Sequence, residues 1–266
     1  MMYSVTMSRI RKRQIAHLIA SGMRLDGRSL TEYRNIKIEK GVIDRAEGSA
    51  RVTIGRTMVL VGIKVGIGEP YSDRPNEGVL TVNSELVPLA SPEFEAGPPG
   101  EESIELSRVV DRGIRESKAV PLKELCIIPG KKVFIIFIDV YVLNHDGNLI
   151  DASAIAALAA LLNAKLFNYE IKDDEVKIKP GFKPLPIRNY PISVTLAEID
   201  GKLIVDPWLD EEEVMNARIT FFFDKDGNIC AIQKGGGGTF TKDQILKAMY
   251  IAREKSEELR KLVVES

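Results

Sequence analysis

The sequence predicts an α+β fold made of two packed halves. Three observations carry this. Strand-like runs and long helical patterns occur in the same order twice, strands first and then a long helix. A Pro-rich passage, "KPGFKPLPIRNYP", separates the two sets near residue 184. The length of 266 residues and 44% hydrophobic content suit one large domain or two intimate halves with a sizeable core.

The start, "MMYSVTMSRIRKRQIAHLIASGM", reads as an amphipathic first helix over residues 1–23. It lacks the long apolar core of a secretory signal. Arg9, Arg11, Lys12 and Arg13 form a basic patch on it, solvated or touching nucleic acid. "ARVTIG", "TMVLVGIKVGIGEP" and "VLTVNSELVPL" read as strands, and "SPEFEAGPPGEE" as a loop. A helix over Ser103–Ser117 follows. "KKVFIIFIDVYVLNHDG" is a long buried strand ending in a turn at Asp146-Gly147-Asn148. "LIDASAIAALAALLNAKLF" is apolar nearly all round and is predicted as a helix buried on several sides.

Beyond residue 184, strands are expected at "ISVTLAEI", "KLIVD", "RITFFFD" and "ICAIQ", the last two joined by an Asp226-Gly227 turn. The final helix opens on a capping box, Thr241 with Gln244, and Phe240 can staple onto Ile245. Ile245, Met249, Ala252, Leu259 and Val263 form its apolar stripe. The predicted units are therefore 1–23, 24–184 and 185–266.

Composition excludes several chemistries. Only His17 and His145 are present, so a histidine-based zinc site or catalytic triad is nearly excluded. Cys126 and Cys230 sit in apolar runs and are expected to be buried thiols in a reducing compartment. No apolar run reaches the ~18 residues of a membrane span. Net charge is −1, so nucleic-acid binding has to be local.

One helix offers such a patch. In "IELSRVVDRGIRES", Leu106, Val109, Val110, Gly113 and Ile114 fall on one side, and Arg108, Arg112 and Arg115 on the other. Three guanidiniums on one face match a row of phosphates. On spacing alone, a solvated face relieved by Glu105, Asp111 and Glu116 is the better reading. Gly235–Gly238 lacks the Lys-Ser/Thr ending of a P-loop and reads as a flexible lead-in to the last helix. Asp151 suits a polar bond near its helix start better than catalysis. The segment "VDPWLDEEEVMNARI" carries five carboxylates, which suits the acidic start of a short surface helix or a cation site.

Several strings together resemble the RNase PH family of phosphorolytic 3′→5′ exoribonucleases, and above all its non-catalytic archaeal exosome branch. They are "RLDGRSLTEYR", "AEGSARVTIG", "PNEGVLTVNSELVPLASPEFEAGPP", "IELSRVVDRGIRESKAV" and "VFIIFIDVYVLNHDGNLIDAS", with the final hairpin. The resemblance spans residues 24 to 260. It implies an RNase PH fold of two ββαβ-type halves with mixed sheets. It also implies a hexameric ring alternating with a catalytic RNase PH-like exosome subunit, cytoplasmic and able to carry RNA-binding cap subunits. Such a ring degrades single-stranded RNA with inorganic phosphate.

The family's catalytic pattern is broken here at three places. Glu101-Glu102 stands where an RNA-binding arginine pair is expected. Leu149 and Ile150 stand in place of a phosphate-gripping hydroxyl and guanidinium, and Arg218 in place of an aspartate. Arginine neither ligates a cation nor acts as a base. The resemblance therefore implies no catalytic residue, metal or cofactor, and assigns RNA contact to Arg108 and Arg112, with Arg115 as a weaker addition. An active exoribonuclease or a stand-alone RNA-binding module are the alternatives.

Overall fold

The computed structural model describes residues 9–173 and 175–266. Two sheets enclose a buried helix. The first sheet has strands β1 (Ile36–Lys40), β2 (Gly48–Ile54), β3 (Thr57–Gly68), β4 (Val79–Leu86), β5 (Cys126–Ile128) and β6 (Lys132–Asn144). Its order is β1-β2-β3-β6-β4, with β5 paired to β6. All its pairings are antiparallel except β4 with β6. That parallel pair needs a crossover, which helix α2 (Glu101–Glu116) supplies.

The second sheet holds β9 (Ile192–Ile199), β10 (Lys202–Val205), β11 (Ala217–Phe223) and β12 (Ile229–Gly235), in the antiparallel order β10-β9-β11-β12. Between the sheets lies α3 (Leu149–Leu162), packed on β2 and β3 from one side and β9 from the other. Every residue from Ile150 to Leu161 is buried. Each fully buried Leu or Ile side chain contributes about 1.5–3 kcal/mol, so this helix joins the halves into one core. Its all-round apolar sequence is the cause, because a one-sided stripe would leave one sheet unpaired.

The predicted helix stops earlier than its sequence suggested. It ends at Leu162, and "KLF" starts β7 (Lys165–Lys172), which pairs with β8 (Glu175–Pro184). Phe167 and Tyr169 of β7 pack on Phe134 of β6, and this aromatic contact overrides the helical pattern. The Pro-rich passage thus begins inside a strand.

Helix α1 (Arg9–Ala20) caps the second sheet. Ile15 and Ile19 pack with Ala197, Ile199 and Ile204. Arg11 pairs with Asp210, and Lys12 Nζ donates to the Glu213 carbonyl at 3.3 Å. The helical expectation for residues 1–8 lies outside the described residues, as does the Arg9 side chain.

The last helix, α5 (Lys242–Glu265), begins on the expected capping box. Gln244 N donates to Thr241 Oγ1 at 3.2 Å, and Thr241 N to Gln244 Oε1 at 2.8 Å. Its buried seam is Ala248, Ala252, Ser256, Leu259 and Val263. Ile245 stays exposed while Phe240 packs on the main core, so the stripe begins one turn later than its sequence suggested. Cys126 and Cys230 are free and half-buried rather than buried. Among the described residues no helix is long and apolar enough to cross a membrane.

Candidate nucleic-acid interface and degenerate cleft

Helix α2 sits where both halves meet. Leu106, Val109, Val110, Gly113 and Ile114 are buried, as their spacing predicts. Gly113 permits a close approach to β11: a Cβ there would lie 2.1 Å from the Phe222 ring. The opposite face carries the three arginines, which differ from one another. Arg108 is exposed and makes no ion pair or hydrogen bond among the described residues. Arg112 is exposed and donates to Gln233 Oε1 at 3.2 Å. Arg115 is half-buried, forked onto Asp111 at 2.6 and 3.2 Å, and donates to the Leu80 carbonyl at 2.9 Å.

The charge of Arg115 is therefore largely cancelled within its own helix. Arg108 and Arg112 keep theirs. They border a groove of about 460 Å³ that Tyr71, Asp73, Arg74 and Glu77 line from the segment between β3 and β4, with Asp111 and Glu116 from α2. Tyr71 is 58% exposed, an aromatic face of the kind on which bases stack. Neither Tyr71 nor Arg74 stands out by spacing. The one signal is an aromatic ring in the otherwise polar turn "GEPYSDRPNEG".

A second cleft, of about 270 Å³, opens between the halves. His145, Asn148, Leu149, Ile150, Glu212 and Arg218 line it, with Glu102 and Glu105 from α2. The turn Asp146-Gly147-Asn148 leads β6 into α3, with φ of 82° at Gly147 and 54° at Asn148. The start of a helix attracts anions, yet here the chain supplies its own: Asn148 N donates to Glu212 Oε1 at 2.8 Å. Burial pushes the Glu212 carboxyl up to about 7, against the pull of the Asn148 amide and of Arg218 and Arg34. Leu149 and Ile150 add no donors.

Arg218 lines the cleft but is already engaged. Its Nη2 donates to Glu105 Oε2 at 2.7 Å. His145 stacks on Phe94, and burial lowers its pKa, so it is neutral at physiological pH. Among the described residues, no group of three or more His, Cys, Asp or Glu could hold a metal ion. The cleft presents carboxylates where a phosphate or an RNA strand would bring negative charge.

The acidic segment opens the short helix its composition suggested, with Asp210, Glu211 and Glu212 in the first turn, but it is not all solvated surface. It forms the short helix α4 (Leu209–Glu212), and two of its five carboxylates, Asp206 and Glu211, are buried. Glu211 pairs with buried Arg24, whose Nε lies 2.8 Å from Oε1. Asp206 is held by Arg34, Arg28 and Asn148. Tertiary pairing explains the departure: the arginines of "RLDGRSLTEYR" reach the second half, and charges that share hydrogen bonds can be buried. Asp151 is wholly buried and accepts from Tyr33, Asn148 and both N and Oγ1 of Thr195 at 2.8–2.9 Å. It ties α3 to β9, a structural bond near the helix start.

The glycine run is not a free tether. Gly238 N donates to the Asn216 carbonyl at 2.7 Å, which holds the run against the segment before β11.

Comparison with known proteins agrees with this architecture. Residues 32–166 match domain 1 of the RNase PH, 3′ exoribonuclease family, and residues 189–255 match domain 2. An "Exosome complex component Rrp42" from Thermococcus gammatolerans is 52% identical over 262 residues, 98% of this chain and 96% of that protein. One of the same name from Methanothermobacter thermautotrophicus is 49% identical, over 94% of this chain and 93% of its own. A solved structure described as "archaeoglobus fulgidus exosome with RNA bound to the active site" superposes with a TM-score of 0.88 at 44% identity, covering 95% of this chain and 97% of the other. Another, "Archaeal exosome core", gives a TM-score of 0.85 at 40% identity, with 96% of each chain covered. On its sequence, its two-sheet architecture and these matches, the chain belongs to the RNase PH, or 3′ exoribonuclease, family.

Proposed function

We infer that this chain is a non-catalytic component of a phosphorolytic RNA-degrading exosome. One observation carries the reading: the inter-half cleft holds Leu149, Ile150 and an Arg218 already bonded to Glu105, and Glu212 fills the helix start that would take a phosphate. The Leu149 and Ile150 side chains offer a phosphate no donor, and Arg218, in the aspartate's place, is neither a base nor a cation ligand. The related proteins named as exosome components, and their nearly full coverage of this chain, support membership of the complex.

On this reading the chain works by assembly and by RNA positioning. It forms a six-membered ring, three copies alternating with three of a catalytic RNase PH-like subunit. The outer face of the first sheet supports such a contact, with Leu60, Tyr141 and Leu143 open beside an exposed Phe137. Arg108 and Arg112 stand one helical turn apart and reach successive phosphates of a single strand, while Arg115 mainly orders its helix. Binding is sequence-independent because it rests on phosphates. The ring is cytoplasmic and takes RNA-binding cap subunits on one face. The two halves divide near residue 185, after β8 ends at Pro184.

The test is phosphate-dependent RNA decay by the purified chain, with and without the catalytic subunit. The chain alone is expected to release no nucleoside diphosphate, and the co-assembled ring to release it. Arg218→Asp is expected to stay inactive alone, because Leu149 and Ile150 still offer phosphate nothing. Diphosphate release by the chain alone would refute the reading.

A further inference from the structure

Arg218 occupies the position where the family pattern calls for the catalytic aspartate, and it is not idle. Its Nη2 donates to Glu105 Oε2 at 2.7 Å. The other oxygen of that carboxylate, Oε1, accepts from Gln233 Nε2 at 3.2 Å. Gln233 Oε1 in turn accepts from Arg112 Nη1 at 3.2 Å. Four side chains from β11, α2, β12 and again α2 form one continuous chain of hydrogen bonds. It runs from the degenerate cleft to the RNA-facing surface.

We propose that Arg218, Glu105 and Gln233 are positioning residues that aim Arg112 at RNA, so that the former catalytic centre serves recognition. The proposal rests on the reading of Arg112 as an RNA contact. The chemistry of each link gives the chain a direction. A carboxylate only accepts, so Glu105 draws the NH₂ end of the Gln233 amide toward itself and turns its oxygen toward Arg112. Arg218 balances Glu105, so the negative charge does not reach the arginine face. Gln233 is neutral, so it orients the Arg112 guanidinium without cancelling its charge. A carboxylate in its place would form an ion pair and spend that charge internally, as Asp111 does with Arg115.

The backbone makes room for the first link. Gly235 lies opposite Arg218 in the β11–β12 register, and a Cβ there would come within 2.7 Å of Arg218 Nε. A side chain at 235 would therefore push Arg218 out of this pose. Sequence spacing could not show this, since Glu105 and Arg218 are 113 residues apart.

The test is a double-mutant cycle in the assembled ring, titrated with single-stranded RNA. Gln233→Leu is expected to weaken binding about two- to tenfold, the range of one hydrogen bond. In an Arg112→Ala ring, the same change is expected to cost nothing. Arg218→Met should behave like Gln233→Leu, Arg218→Lys should retain most of the affinity, and Gln233→Glu should bind worse than Gln233→Leu. Should Arg218→Met fail to assemble, the half-buried Gln233 decides the matter. An equal loss from Gln233→Leu in both backgrounds overturns the relay, as does no loss where Arg112→Ala alone weakens binding. No loss from Arg112→Ala itself would remove the RNA-contact reading and the relay together.

Discussion

Arg34 grips Asp206 with two nitrogens, Nη2 on Oδ1 at 2.7 Å and Nε on Oδ2 at 2.8 Å. Asp206 is wholly buried, so burial alone would raise its pKa, but the Arg34 bonds outweigh that and hold it below the usual carboxylate range. The pair joins the segment before β1 to the end of β10 and is a principal polar bond between the halves.

Removing Arg34 leaves a buried carboxylate short of its strongest partner. Arg34→Ala is expected to lower unfolding free energy by about 3 kcal/mol, a typical cost of breaking a buried pair. Because the Asp206 pKa is depressed in the fold, the stabilisation is complete above the unfolded value. It is lost as pH falls through the lower folded value. Urea titrations at about pH 6 and about pH 3 check both points: the deficit of the variant should shrink in acid. An equal deficit at both pH values would count against the pairing as its source.

Glu212 shifts the other way. Its carboxyl sits at about 7 in the fold against 4.5 as the ordinary value. The folded chain therefore holds this proton more tightly than the unfolded chain. A destabilising cost grows as pH rises from about 4.5 to about 7 and is constant above. Glu212→Gln keeps an oxygen for Asn148 N and removes that cost. Its melting temperature should exceed the parent's at about pH 8 and match it at about pH 4. A gain that is the same at both pH values would show that the carboxyl titrates normally.

Gly113→Ala drives a methyl into the Phe222 ring, 2.1 Å from its nearest atom. Overpacking of this kind costs about 1–3 kcal/mol. It should also tilt α2 away from β12 and break the Arg112–Gln233 bond. Lower thermal stability and weaker RNA binding by the ring are expected together. Unchanged stability would mean that the helix can move aside freely.

Arg108→Ala with Arg112→Ala should weaken RNA binding by the assembled ring and leave the assembly intact. The slope of log affinity against log salt should become shallower by about 0.7 for each phosphate of a single strand that is no longer neutralised. Arg115→Ala should lower stability more than affinity, because Arg115 is forked onto Asp111 and bonded to the Leu80 carbonyl. Titrations at several salt concentrations separate these outcomes, and an unaltered slope would leave the two arginines as solvated surface.

Local sequence determined the elements whose signals are local. Strand-like runs placed β2 and β9–β12, the Thr241–Gln244 box placed the start of α5, and spacing alone sorted α2 into a buried face and an arginine face. The resemblance marked Leu149, Ile150 and Arg218 as departures from the family's catalytic pattern, and residue type then says that the Leu149 and Ile150 side chains donate nothing and that Arg218 is no base. What needed the tertiary structure was which charges meet. Asp206 and Glu211 looked like surface acids until Arg24, Arg28 and Arg34, more than 170 residues earlier, were folded onto them. Spacing did not separate Arg115 from Arg108, and the resemblance ranked it only as a weaker addition; its fork onto Asp111 appears in the fold alone. The hairpin β7–β8 stayed hidden because its strand pairing and its contact with Phe134 outweigh a continuing helical pattern. Helix and strand periodicity is written along the chain, whereas the burial of a charge depends on a partner that only the closed fold brings within hydrogen-bond reach.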